Sequence, residues 1–317
     1  MKYTSIVVST FAFLLALAAW LNSGTNKPAS GTAHTTSPLE QRFSVSEKKE
    51  TFENARSLDL PDTLFFAGER VPLEINDVRE RLDRELHVNT YWHNNTIFLI
   101  KRAARWLPQI EPILVEKGVP ADFKYIAVIE SGLLNDVSPA GAVGFWQFIE
   151  GTAKEFGLEV TRNVDERYHP LKATQAATGY LLQAHEKFGS WTNVAASYNR
   201  GMNGIDRALE NQQVDSYYDL YLNGETSRYL FRALAIREII ENPEKYGFNI
   251  HPDHLYLPEE VKYTEVAEDI PDLIAWSLEN GINYKLLKHF NPWLRDSNLR
   301  VKKGKTYQIA LPVSTTE

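Results

Sequence analysis

Between Asn76 and Glu241, apolar residues return at three- and four-residue steps in short runs parted by Gly and Pro, not in strand-like alternation. That pattern confines the segment to a packing of short helices. Val78, Leu82 and Leu86 share one face of a first helix, and Ile97, Ile100, Ala104 and Leu107 mark a second, which Pro108 and Pro112 are expected to bend or end. Further helices are predicted over Phe123–Ser131, Glu150–Phe156, Ala173–Phe188, Trp191–Ser197 and Gly204–Glu210, with Tyr217–Glu241 closing the set. The fold class that follows is mainly α, with an all-α domain over residues 76–248.

A different texture begins near Asn249. Pro252, Pro258 and Pro271 punctuate the chain, Val261–Val266 and Thr306–Leu311 alternate like strands, and Pro271–Glu279 and Asn283–Phe290 are helical between them. Residues 249–317 are therefore expected to form a small α+β C-terminal region. Strand, helix, helix, strand resembles the order of a LysM wall-binding module, with Asn291-Pro292 where such modules often carry a similar pair. A small packing domain that binds nothing would show the same order, since order alone does not fix function.

At the other end, Lys2 precedes an apolar run from Ile6 to Leu21 that only Ser9 and Thr10 interrupt, the pattern of an export signal. Ala16-Leu17-Ala18 suits cleavage, whereas continuation through Trp20 and Leu21 suits a retained membrane anchor, so residues 1–21 are read as signal or anchor. Residues 22–50 read as a flexible linker rich in Ser, Thr, Gly and Pro. Residues 51–75 read as an extended lead-in, where Pro61 and Pro72 discourage helix.

Composition removes several function classes. The formal charge of −7 and the lack of clustered Lys and Arg argue against a nucleic-acid partner, because phosphate binding needs a basic surface. There is no Cys, hence no disulfide, no thiolate zinc site and no lipid-modified N-terminal Cys. The eight His are scattered without H-E-x-x-H spacing, and no phosphate-cradling glycine motif is present, so neither a metal nor any cofactor is expected.

One carboxylate stands out. The run Tyr125-Ile126-Ala127-Val128-Ile129 ends in Glu130, with Ser131 and the helix-terminating Gly132 behind it. Apolar neighbours and the negative end of the helix dipole both disfavour the ionised carboxyl, which is what a general acid at neutral pH requires. A solvent-facing terminal Glu without a role would look the same in these residues alone.

Downstream, Ser138-Pro-Ala-Gly-Ala-Val-Gly-Phe-Trp-Gln-Phe-Ile-Glu-Gly-Thr-Ala153 follows that Glu-Ser pair. Then come Asp165 and Pro170 with Ala173–Leu181, Ala195-Ala-Ser-Tyr-Asn-Arg-Gly201, and Glu225-Thr-Ser-Arg-Tyr-Leu230. In this order the motifs resemble the family 1 lytic transglycosylases, which carry an SLT domain of lysozyme-like fold, especially the membrane-bound lytic murein transglycosylase D type. The resemblance covers roughly residues 90–245. It implies a lysozyme-like catalytic domain acting on peptidoglycan glycan strands, with Glu130 as catalytic acid/base, Ser131 as its hydrogen-bonding neighbour, and Gln147, Asn199 and Tyr229 as polar cleft residues. Tyr198, Trp146 and Phe148 would supply aromatic faces, although Trp146 suits the core better than a platform. Departures from the family pattern are Arg200 before Gly201, Ser197 for a usual Ala, and Glu150 where Pro is common. None removes a proposed catalytic side chain, and Arg200 sets a long cation beside Asn199.

The implied reaction uses one carboxyl where most glycosidases use two. Glu130 protonates the oxygen between N-acetylmuramic acid and N-acetylglucosamine, the 2-acetamido oxygen stabilises the cationic C1, and Glu130 then takes the proton of the C6 hydroxyl as a 1,6-anhydro ring closes. Two rivals stand beside it. A goose-type hydrolase would need a second acidic residue, for which Asp136 and Asp165 are available, and an idle wall-binding protein would need none.

Overall fold

A computed structural model describes residues 56–313 of the chain. The signal or anchor at 1–21 and the linker at 22–50 lie outside the described residues. Among the described residues no helix is long and apolar enough to cross a membrane.

The lead-in is more than extended chain. Phe65–Phe66 (β1) and Glu69–Arg70 (β2) form an antiparallel hairpin, turned by Ala67 and Gly68, both at positive φ as a tight two-residue hairpin turn requires. Leu64, Phe66, Val71 and Leu73 are buried in the main core, so this segment is packed structure, not a spacer. The half-buried Glu69 carboxylate accepts from Trp191 N (2.6 Å), Thr192 N (2.9 Å), Thr192 Oγ1 (2.6 Å) and Ser190 Oγ (3.0 Å), which caps the helix that starts there.

Eight helices follow: α1 (Asn76–Tyr91), α2 (His93–Glu116), α3 (Lys124–Ser131), α4 (Glu150–Glu155), α5 (Pro170–Phe188), α6 (Trp191–Arg200), α7 (Met202–Gln212) and α8 (Gly224–Glu241). α8 is the hub, packed by α1, α3 and α6. Its buried positions, among them Tyr229, Leu230, Phe231, Ala233, Leu234, Ala235 and Ile236, run around the whole helix, as expected for one surrounded by others. α1 buries Val78, Leu82 and Leu86 as its spacing predicted.

α2 corrects two expectations. It passes through Pro108 and Pro112 and continues to Glu116. Both prolines lie on the exposed face, while Leu107, Ile110 and Leu114 carry the buried stripe past them. That stripe is also rotated: Leu99, Ile100, Ala103 and Leu107 face inward, Ile97 is exposed and Ala104 is only partly buried.

The C-terminal region has the predicted order: β3 (Val261–Val266), α9 (Leu273–Glu279), α10 (Tyr284–Phe290) and β4 (Tyr307–Pro312), with β3 and β4 antiparallel from Val261↔Pro312 to Val266↔Tyr307. Asp272 and Asn283 cap the two helices. Fully buried Asn291 donates to Ala310 O (2.7 Å) and accepts from Ala310 N (2.8 Å), which fastens the end of α10 to β4. A second apolar core gathers Leu273, Leu287, Leu294, Leu299 and Ile309 with Val143, Val164 and Tyr168 from the helical part.

Candidate active site

α3 is a short apolar helix whose Tyr125, Ile126, Ala127 and Val128 are buried, and Gly132, at φ +61°, closes it in the left-handed conformation that favours glycine. This brings Glu130 to the last turn, facing a cleft of about 670 Å³, within the range of ligand sites. α8 supplies Tyr229, whose hydroxyl donates a short hydrogen bond to Glu130 Oε1. Burial pushes the Glu130 carboxyl above the usual carboxylate range and Glu225 adds to the rise, against Tyr229 and Arg232, which favour the ionised form. Burial also holds the Tyr229 phenol well above its ordinary value, so Tyr229 keeps the proton it donates.

Gln147, Asn199 and Tyr198 line the same cleft. Gln147 sits at φ +48°, a conformation uncommon for a residue with a side chain, and its amide nitrogen donates to Gly144 O (2.8 Å) and Asp136 O (3.2 Å). The amide oxygen is therefore the end left for a ligand. Asn199 donates to Glu225 Oε1 (3.0 Å) and accepts from Thr226 Oγ1 (2.8 Å), which ties the end of α6 to the start of α8. Tyr198 donates to Trp146 O (2.8 Å), and its ring meets Phe148 and Tyr180 edge-on.

Two expected site residues lie elsewhere. Trp146 is fully buried, and its indole N–H donates to Thr174 Oγ1 (2.9 Å), so it is core and offers a ligand no face. Ser131 does not bond Glu130. Its hydroxyl donates to Phe145 O (3.0 Å) and accepts from Leu133 N (3.1 Å), because a side chain one residue on in a helix points about 100° away. It pins the end of α3 to the 145–148 loop.

The acids named for a hydrolase also separate. Asp165 is buried with both oxygens on Arg167 (3.0 and 2.7 Å), a structural pair. Asp136 lines an adjoining hollow, which shares Ile129, Glu225 and Arg232 with the cleft and so carries the groove past Glu130. The residues that sequence reasoning missed are Glu225 and Arg232. Glu225 stood inside the quoted motif, and Arg232 follows Tyr229 by three residues, on the same face of α8.

The site thus sets a carboxyl, Glu130, pushed above its usual range in a groove of the helical domain, and a strand-helix-helix-strand module follows that domain. The comparisons with known proteins agree: residues 114–220 match the Transglycosylase SLT domain family, and residues 262–315 match the Soluble lytic transglycosylase C-terminal LysM-like domain. The chain is similar to Membrane-bound lytic murein transglycosylase D of Escherichia coli (strain K12). The two are 26% identical over 254 residues, which cover 75% of this chain and 53% of the relative. The protein of the same name from Escherichia coli O6:H1 gives the same figures, 26% over 254 residues. The chain spans about half the length of these curated relatives. Among solved structures, an inactive mutant of Lytic Transglycosylase Slt from Pseudomonas aeruginosa is similar at a TM-score of 0.34 and 17% identity, covering 48% of this chain and 26% of that one.

Proposed function

We propose that this protein is an exported peptidoglycan lytic transglycosylase that cleaves the β-1,4 bond between N-acetylmuramic acid and N-acetylglucosamine and leaves a 1,6-anhydromuramoyl end. The observation that carries the reading is the partly buried Glu130 carboxyl, pushed upward and bonded by Tyr229, with no cation paired to it among the described residues. In its protonated form Glu130 gives its proton to the leaving oxygen. As a carboxylate steadied by Tyr229 it then takes the proton of the C6 hydroxyl, and the C6 oxygen closes on C1. Proton count balances without water, and one group serves as acid and then base. Export and a wall-facing location rest on the Lys2 and Ile6–Leu21 signal.

A hydrolytic reading draws on one observation: exposed Glu225 lines the same cleft and is a second carboxylate that could hold a water. Mass spectrometry of digested wall separates the two. Products one water lighter than hydrolytic ones are expected, and reducing muramoyl ends as the main product would replace the transglycosylase reading by the hydrolytic one.

A further inference from the structure

The C-terminal module packs against the back of one wall of the Glu130 cleft. That wall is the 138–149 loop, which contributes Ser138, Pro139, Ala142, Gln147 and Phe148. Within it Val143 and Phe148 exchange backbone hydrogen bonds (3.0 and 3.1 Å), and Gln147 N donates to Gly144 O (3.1 Å). The reverse face of this small ribbon belongs to the module: Val143, 3% exposed, sits in the same apolar core as Leu287, Leu294 and Ile309.

A polar chain runs beside that apolar contact. Val164 bridges Leu294, Asp165 N donates to Trp293 O (2.9 Å), Arg295 N donates to Asn163 O (2.8 Å), and Asn163 Nδ2 donates to Asn298 Oδ1 (2.6 Å). Asp165 in turn holds Arg167 through both carboxylate oxygens. The Arg167 guanidinium donates to Gly141 O and Phe148 O, each at 3.3 Å. Gly144 seals the contact, since a Cβ there would stand 2.0 Å from Arg167 O. The chain of contacts is therefore unbroken from Trp293 to Phe148. On the far flank, Glu159 accepts from Tyr307 (2.8 Å) and pairs with Lys305, which fixes the module to the same segment.

We propose that the C-terminal module, acting through Asn163–Arg167, positions the cleft loop that carries Gln147 and Phe148, and that Arg167 is a positioning residue for the reaction. The inference rests on the transglycosylase reading for its kinetic part only. A module that merely tethered the enzyme to insoluble wall would matter little for a short glycan in solution. One that shapes the cleft matters for both substrates, because a displacement of about 1 Å costs on the order of 10²-fold in turnover.

The test uses the full chain. Arg167→Met should lower kcat on soluble muramoyl oligosaccharides by on the order of 10²-fold with KM little changed, and by a similar factor on insoluble wall. Arg167→Lys, which keeps the charge opposite Asp165 but has one nitrogen where Arg167 uses separate ones for the two Asp165 oxygens and for the carbonyls, should recover only part. Leu294→Ala, on the module side, should speed amide hydrogen exchange at Val143 and Phe148 while the amides of α8 stay protected, and that protection reports that the variant is folded. Full turnover of Arg167→Met on the soluble substrate, or unchanged exchange at Val143 and Phe148 in Leu294→Ala, would overturn the proposal. A wild-type chain that cleaves no glycan would instead sink the proposed function, and the exchange result would still decide whether the module holds the loop.

Discussion

Glu130 and Glu159 are both partly buried glutamates, one in the cleft and one at the seam with the C-terminal module, and their surroundings drive them in opposite directions. Burial raises both. At Glu159 the rise is outweighed by Lys305, Tyr307 and Lys302, and its carboxyl ends below the usual range. At Glu130 only one phenol and the field of Arg232 oppose burial, and the carboxyl ends above it. Ion pairing turns a glutamate into a fastener, and withholding the cation leaves it able to carry a proton.

The sharpest way to break this contrast is Glu130→Gln, which keeps the shape and accepts from Tyr229 but supplies no proton. Turnover should fall by at least ~10²–10⁴-fold, the usual contribution of general acid/base catalysis, with glycan binding retained. Full activity of that variant on purified wall would overturn the site assignment. Tyr229→Phe comes next. It removes the one hydrogen bond that favours the Glu130 carboxylate, so turnover should drop by about ten- to a hundredfold, the worth of a hydrogen bond to a charged group. Because Tyr229 lowers the Glu130 pKa, its loss raises that pKa further, and the limb of the kcat–pH profile on which Glu130 loses its proton should move to higher pH. A shift to lower pH would contradict the role given to Tyr229.

Much of the helical order and the place of Glu130 were legible, since apolar spacing and Gly132 act locally and the ordered motifs do not depend on knowing the packing. What was not legible depends on which face is outermost or on long-range contact. Pro108 and Pro112 were expected to bend or end α2, and on their shared exposed face they do not end it. Ser131 and Trp146 stand in the right motifs, but their bonds go to the backbone at Phe145 and to the core at Thr174, which no spacing reveals. Glu69 joins β2 to α6 across 122 residues of chain, as measured by its bond to Trp191, so the lead-in could not declare its role. Asp165 looked like a spare acid until its partner, only two residues on, proved to be Arg167.

The seam offers the third test. Glu159 has a lowered pKa, so its stabilising effect is fully present above the unfolded value of about 4.3 and is lost as pH falls through the folded one. Glu159→Gln should therefore lower unfolding stability at neutral pH by about 1–2 kcal/mol, a figure discounted because Lys302 and Lys305 are solvent-screened. The difference from wild type should vanish in acid. Denaturant titrations at the two pH values measure it, and an equal deficit at both would show that Glu159 acts by packing and not by charge.

The smallest effect is the most telling, because it has the opposite sign. Glu130 has a raised pKa, so above the unfolded value of about 4.3 the folded state holds a proton that the unfolded chain has given up, and stability falls as pH rises until the folded pKa is passed. Gln carries no such term while still accepting from Tyr229. Glu130→Gln should match wild type in acid and exceed it at neutral pH by about 0.5–1 kcal/mol, as substitutions that relieve a strained functional site commonly do. Thermal unfolding across the pH range reads the gap directly. If Glu130→Gln were instead less stable than wild type at neutral pH, as Glu159→Gln should be, Glu130 would be another fastener, and the contrast between cleft and seam would fail.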